Sequence, residues 1–234
     1  MSFERTLDRL SDDARARLAR VIALLAGDPT APSAVRDPDD AWRAHVADSL
    51  TGLEVAELRP GAAIADVGAG AGFPGLVLAA ALPGSSVDLI ESVGRKCDFM
   101  RRALAESGIP GARVVCERAE TWAASPPPDG GAEAYGVVVA RAVGRLATLA
   151  ELASPLLRLD GVLIAWKGRR DPDEEDELAR AAARLAMDPE RVLAVGEIAG
   201  SRHRHLHVIR KTGPTPERLP RRPGMAKKRP IGGA

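Results

Sequence analysis

Hydrophobic positions run through this chain in two rhythms. In residues 3–26, Leu7, Leu10, Ala14, Leu18, Val21, Ile22 and Leu25 recur at intervals of three and four among Arg and Asp, which predicts one amphipathic helix stopped by Gly27-Asp28-Pro29. A loop with Pro29, Pro32 and Pro38 leads to a second helix starting near Asp39 or Asp40. Its apolar stripe is Trp42, Val46, Leu50 and Leu53, while His45, Asp48 and Ser49 share another face. From residue 62 the rhythm changes to short β-branched runs: "AAIADV", "SVDLIE" from Ser86, "ARVVCE" from Ala112, "YGVVVARAV" from Tyr135, "GVLIAWKG" from Gly161, "RVLAVGEI" from Arg191 and "HLHVIRK" from His205. Helical segments at about 75–82, 94–107, 144–157 and 172–186 separate most of them. This alternation predicts an α/β fold with a doubly wound, mostly parallel, seven-stranded sheet. The last two runs have no helix between them and are expected to form an antiparallel hairpin at one edge. Three parts follow: an N-terminal helical appendage over 1–58, the sheet domain over 59–212 and a tail over 213–234.

The tail carries Arg218, Arg221, Arg222, Lys227, Lys228 and Arg229 against Glu217 alone, with five prolines and little to bury. A segment of that composition is expected to stay unfolded until it meets a polyanion. The rest of the composition narrows the choices. The chain has 234 residues, 45% apolar and 28% charged, enough for one good core. Its formal net charge of +1 gives no global attraction for nucleic acid, so any basic site is local. Two cysteines, Cys97 and Cys116, are too few for a disulfide framework and lack metal-ligand spacing, which points to a reducing cytoplasm and no metal. No apolar run approaches the length of a membrane span.

The chemistry concentrates in "ADVGAGAGFPG", Ala65 to Gly75, which follows the first strand run and opens the first helix of the sheet domain. Amides there face whatever sits above the carboxyl edge of the sheet. Two registers compete. Gly70-x-Gly72-x-x-Gly75 matches the dinucleotide fingerprint, while Asp66-x-Gly68-x-Gly70-x-Gly72 resembles the acidic-then-glycine loop of S-adenosylmethionine-dependent methyltransferases. The second is favoured. A carboxylate at Asp66 suits the cationic methionine portion and repels a pyrophosphate, and Pro74 removes an amide donor that a pyrophosphate needs. The helix-free final strand pair also departs from a second mononucleotide-binding half. Glu91 ends the second strand, where an acid accepts both ribose hydroxyls in either fold.

"DVGAGAGFPG", "LIESVGRKCDFMRR", "ERAE", "ARAV", "AWKGR", "RHLHVIRK" and "PRRPG", together with the upstream "SAVRDPDDAWRAHVADSL", resemble the glucose-inhibited division protein B family, the bacterial small-subunit ribosomal RNA guanine-N7 methyltransferases. The resemblance runs from about Ser33 to Ile231. It departs at Ala44, where an arginine is usual, and at Ala31-Pro32, where asparagine-leucine is common. It implies a Rossmann-like class I methyltransferase fold, S-adenosylmethionine as cofactor, and 16S ribosomal RNA, the small subunit or an assembly intermediate as partner, with a monomer as the expected state. The implied cofactor contacts are Gly68, Phe73, Ala119, Glu120 and Arg141, joined by Asp66, Gly70, Gly72 and Glu91 from the loop argument. Arg118, Arg141, Lys167 and Arg204 are the cations expected around the RNA or the reacting base. His45 is open between a base contact, a bond to Asp48 and packing; Trp166 is open between stacking on a flipped guanine and the core. Guanine N7 carries a lone pair and no proton, so the implied reaction is a direct displacement without a general base. That agrees with Ala140-Arg141-Ala142 standing where amino-group methyltransferases resemble one another in an Asn/Asp-Pro-Pro-aromatic signature. The rival readings are a nicotinamide-dependent reductase and a non-catalytic RNA-binding assembly factor.

Overall fold

The computed structural model describes residues 3–196 and 203–233. The N-terminal pattern yields two helices, α1 (Phe3–Leu7) and α2 (Asp12–Gly27), where one was expected. Ser11 explains the break: its side chain accepts a hydrogen bond from the Ala14 amide at 3.2 Å and caps α2. The second expected helix is an irregular run over 38–54: α3 (Pro38–Ala41), a π-helical stretch (Trp42–Ala47), α4 (Asp48–Leu50) and a 3-10 turn (Thr51–Glu54).

The sheet region alternates as predicted. Its elements are β1 (Ala63–Val67), α5 (Gly75–Ala81), β2 (Ser86–Ile90), α6 (Gly94–Ser107), β3 (Ala112–Val115), α7 (Ala119–Trp122), β4 (Tyr135–Arg141), α8 (Leu146–Ala153), β5 (Leu157–Lys167), α9 (Pro172–Leu185), β6 (Met187–Ala194), β7 (His205–Lys211) and α10 (Met225–Lys228). The seven strands form one sheet in the order β3-β2-β1-β4-β5-β7-β6. β1 to β5 are parallel, and β7 lies antiparallel between β5 and β6. The sheet therefore has its switch point between β1 and β4, where open α/β sheets bind ligands. β6 starts four residues earlier than expected. Ala186 takes the left-handed conformation with φ 52° directly after α9, so the chain enters the strand at once and leaves no loop.

The 1–58 region is not an appendage in packing terms. Leu18, Val21, Ile22 and Leu25 of α2 share one buried cluster with Leu76, Leu78, Phe99 and Met100, so α2 covers one face of the sheet alongside α5 and α6. The other face is filled by α7, α8 and α9 with Leu146, Leu149, Leu178 and Leu185. The tail also departs from expectation. Leu219 and Ile231 are buried in this second cluster, and Ala226 is buried as well, so the tail borrows the apolar surface of α8 and α9 instead of building its own. Cys97 and Cys116, too few for a disulfide framework and taken from the sequence to point to a reducing compartment, are paired as a disulfide joining α6 to the chain after β3. No helix among the described residues is long and apolar enough to cross a membrane.

Candidate cofactor site at the carboxyl edge of the sheet

The glycine turn after β1 is shaped by its backbone. Gly68, Gly70 and Gly72 have φ of +71°, +61° and +95°, a region open to glycine at little cost. The Gly68 and Ala69 amides donate to the Ile90 carbonyl at 2.8 and 3.1 Å, which ties the turn to the end of β2. Gly75 serves packing: a Cβ there would lie 2.3 Å from Leu89 and 2.8 Å from Asp66 Oδ2, so only glycine lets α5 sit on the strands.

Beside the turn opens a cavity of about 620 Å³, within the range of small-molecule sites. Gly68, Glu91, Arg118, Ala119 and Glu120, all expected from the sequence, line it together with Val143 and Gly144. Glu91 is fixed from several sides. The Ser92 and Val93 amides donate to its Oε1 at 2.8 and 2.9 Å, the Gly70 amide donates to Oε2 at 3.2 Å, and Lys96 Nζ lies 3.5 Å away. A carboxylate held this way keeps its oxygens oriented before a ligand arrives. Glu120 is partly engaged, because its Oε1 accepts from the Gly224 amide of the tail at 2.7 Å. Arg118 caps α7 at the cavity wall, and no ion pair to it is found among the described residues.

Asp66 is 1% exposed and stands behind the turn, outside the cavity lining. The Gly75 amide donates to its Oδ2 at 2.8 Å, while Oδ1 has no partner among the described residues. Burial pushes its carboxyl up to about 7, against the opposing pull of the Gly75 amide and the Arg141 charge. An orphaned carboxylate oxygen under the glycine turn suits a cationic group. The cavity size, the fixed strand-end acid and this oxygen together fit S-adenosylmethionine.

Arg141, Arg204 and Phe73 lie outside the cavity lining and meet His45 and Asp48 in a knot of paired charges. Arg141 Nη1 donates to Asp48 Oδ2 at 2.8 Å and to the Ala44 carbonyl at 3.0 Å, and Nη2 lies 3.2 Å from His45 Nδ1. Arg204 Nε stands 2.7 Å from the other Asp48 oxygen, without the angle of a hydrogen bond. His45 stacks on Phe73 with ring centroids 4.7 Å apart, and its Nε2 is 2.9 Å from Ser33 Oγ. Burial first, then the Arg141 charge, pushes His45 down to about 4. It is neutral at pH 7. Arginine can only donate, so Nδ1 accepts and Nε2 carries the proton.

One open alternative is decided here and one expectation changes. Trp166 is a core residue: it is 2% exposed, and its indole N–H donates to the Asp48 carbonyl at 2.9 Å, so no base can stack on it. Lys167 donates to Glu174 Oε1 at 2.6 Å and to the Gly144 carbonyl at 3.0 Å, which makes it a brace for the loop after β4. Sequence reading missed Asp48 as the shared partner of two arginines; its place on the 38–54 run, one residue from Ser49, gave no hint of pairing across 93 positions. It also missed Ala142, in the left-handed region at φ +58°, where the chain turns so that Val143 packs on Gly68 and Gly144 reaches the cavity. An alanine there costs roughly 1–2 kcal/mol.

A doubly wound sheet closed by an antiparallel β7, with a glycine turn after β1 and an acid beyond β2, defines a Rossmann-like S-adenosylmethionine-dependent methyltransferase. The solved structures agree on the fold: a SAM-dependent methyltransferase from Aquifex aeolicus superposes with a TM-score of 0.54 at 17% identity, covering 83% of this chain and 98% of that one. A ribosomal protein L11 methylase from Lactobacillus delbrueckii subsp. bulgaricus does so with a TM-score of 0.56 at 17% identity, covering 80% and 84%. Sequence fixes the family. Residues 29–207 match the model of the GidB family, described as rRNA small subunit methyltransferase G, and the chain belongs to that family. Proteins named ribosomal RNA small subunit methyltransferase G are similar to it: 41% identical in Pelotomaculum thermopropionicum over 80% of this chain and 77% of that protein, and 35% in Moorella thermoacetica over 85% and 82%. The one from Rubrobacter xylanophilus is 36% identical over 99% and 91%. S-adenosylmethionine is thus the cofactor, and the chain is an enzyme that methylates small-subunit ribosomal RNA.

Proposed function

We propose that the methyl acceptor is N7 of a guanine in 16S ribosomal RNA and that the chain works in the cytoplasm as a monomer. The observation that carries the cofactor half of this reading is Glu91, fixed by three amides at the end of β2 and facing the cavity, where a ribose diol needs an acceptor. Bound there, S-adenosylmethionine supplies an electrophilic methyl group on a sulfonium. Every other contribution comes from the chain. The Gly68 to Gly72 turn lets the backbone approach closely, Asp66 Oδ1 offers a buried oxygen without a partner among the described residues, and Ala119 and Glu120 border the end of the cavity beyond β3.

The guanine end lies by the carboxyl end of β4. There His45 is neutral and has both nitrogens engaged. This supports catalysis by alignment without proton abstraction, which is all an N7 lone pair requires. In this reading Arg141 and Arg204 are positioning residues held by Asp48, and Phe73 is oriented by its stack on His45. The test is methyl transfer from radiolabelled S-adenosylmethionine to small-subunit ribosomal RNA, offered naked and as the assembled subunit, followed by borohydride reduction and aniline cleavage. Cleavage at one guanine supports N7 as acceptor. Labelled RNA that resists cleavage would move the methyl group to another atom.

A further inference from the structure

The family match ends at residue 207, yet the cofactor cavity is walled in part by Gly224, Ala226, Lys227, Lys228 and Pro230. The tail is pinned there by specific bonds. Arg221 forms a bidentate pair with Glu151, Nε to Oε1 and Nη2 to Oε2 both at 2.6 Å, on a carboxylate only 3% exposed. The Glu120 carboxylate takes the Gly224 amide, Thr148 Oγ1 donates to the Ala226 carbonyl at 3.2 Å, and Arg221 also donates to the Arg229 carbonyl at 2.7 Å. Leu219, Ala226 and Ile231 are buried around these anchors. Inner and outer positions differ in kind: Arg221 is neutralised by an acid, whereas Lys227 and Lys228 are exposed, and no ion pair to either is found among the described residues. Arg118, equally without one, lines the same cavity.

We propose that residues 219–231 are a strap with two uses: its inner side closes the cofactor cavity, and Lys227 and Lys228, with Arg118 on the same cavity, form a rim that takes phosphates of the substrate RNA. The proposal rests on the RNA-methylating reading above. A solubilising tail has no need of a buried bidentate anchor, while cations held in place without counter-charges lose little conformational freedom when they meet a phosphate. The anchors carry the placement and the lysines carry the charge.

The test uses the full chain and two variants, Lys227→Ala/Lys228→Ala and Arg221→Lys. S-adenosylhomocysteine affinity is read by calorimetry, and binding of a small-subunit ribosomal RNA transcript across a salt series. In the double variant the slope of log affinity against log salt should fall by about 1.4–1.8, from roughly 0.7–0.9 for each phosphate no longer neutralised. Arg221→Lys, which keeps the charge and loses the bidentate grip, should weaken S-adenosylhomocysteine several-fold. An unchanged slope in the double variant would overturn the rim. Unchanged affinity in Arg221→Lys would overturn the closing role. A wild-type chain that methylates RNA while either result holds refutes the strap alone; one that binds neither ligand refutes the functional reading and the strap with it.

Discussion

Arg118 and Arg141 occupy like positions, each just past or at the end of a parallel strand and facing the same edge of the sheet, and they have opposite fates. Arg118 stands at the cavity, and no ion pair to it is found among the described residues, whereas Arg141 is half of a buried pair with Asp48 and touches His45 and a carbonyl as well. The two sides of the glycine turn differ in the same way: one is a cavity with cations to spare, the other a knot whose charges cancel. A strand-end arginine is therefore free for a ligand only where no acid from outside the sheet reaches it. Here that acid comes from the 38–54 run.

The sharpest way to break the contrast is to remove the shared acid. Asp48→Ala leaves Arg141 and Arg204 without their counter-charge in a mostly buried setting, and should destabilise the fold by roughly 3–5 kcal/mol in denaturant unfolding. A cost below about 1 kcal/mol would mean that the knot is solvated and its arginines available. On the cavity side, Gly70→Val should cost stability only about 1–2 kcal/mol, since a Cβ there meets nothing nearer than the Gly68 carbonyl oxygen at 3.8 Å and the expense is the positive φ. It should nonetheless weaken S-adenosylmethionine by more than about ten-fold in calorimetry. Retained affinity would place the cofactor away from the turn.

A third effect is smaller and depends on pH. Burial raises the Asp66 carboxyl to about 7 in the folded chain, above its ordinary 3.8, so the folded state holds a proton that the unfolded state has released between those values. Stability from this group is present below about pH 4 and is lost as pH rises towards 7. Asp66→Asn removes the titration and keeps an acceptor for the Gly75 amide. Between pH 5 and 8, wild-type melting temperature should therefore fall relative to the variant; parallel curves would show that Asp66 is solvated. The smallest expected effect is none: with cofactor and RNA saturating, single-turnover methyl transfer should be nearly flat from pH 6 to 9, because His45 is already neutral there and the N7 lone pair carries no proton to remove. A bell-shaped profile would reveal an acid or base in the knot.

The sheet was readable from the sequence because its central strands β1, β2 and β4 are buried on both faces and spell continuous, mostly apolar runs, while the glycine turn and Glu91 sit at fixed offsets from the first two. Long-range pairing was not readable. Nothing local marks Asp48 as the partner of Arg141, or Glu151 as the anchor of Arg221, because an ion pair across 93 or 70 residues leaves no periodicity. The tail was misjudged for a related reason: Leu219 and Ile231 are too few and too widely spaced to form a stripe, yet both find a place in a core that α8 and α9 had already built. Trp166 was open between stacking and the core, and alternation along β5 decides for the core by turning its ring inward against Gly52.

The position of β7 has a consequence for synthesis. β6 bonds only to β7, and β7 slots between β6 and β5, so the sheet cannot be completed until residue 211 has left the ribosome. A nascent chain that has emerged as far as residue 194 presents β5 as a bare edge and β6 as a strand with no neighbour, an arrangement open to pairing with other chains. The finished cavity must wait still longer, for the strap follows β7 along the chain. Premature termination anywhere before His205 should therefore yield a chain that aggregates instead of a smaller enzyme, and the cofactor meets a closed site only once residue 231 has emerged.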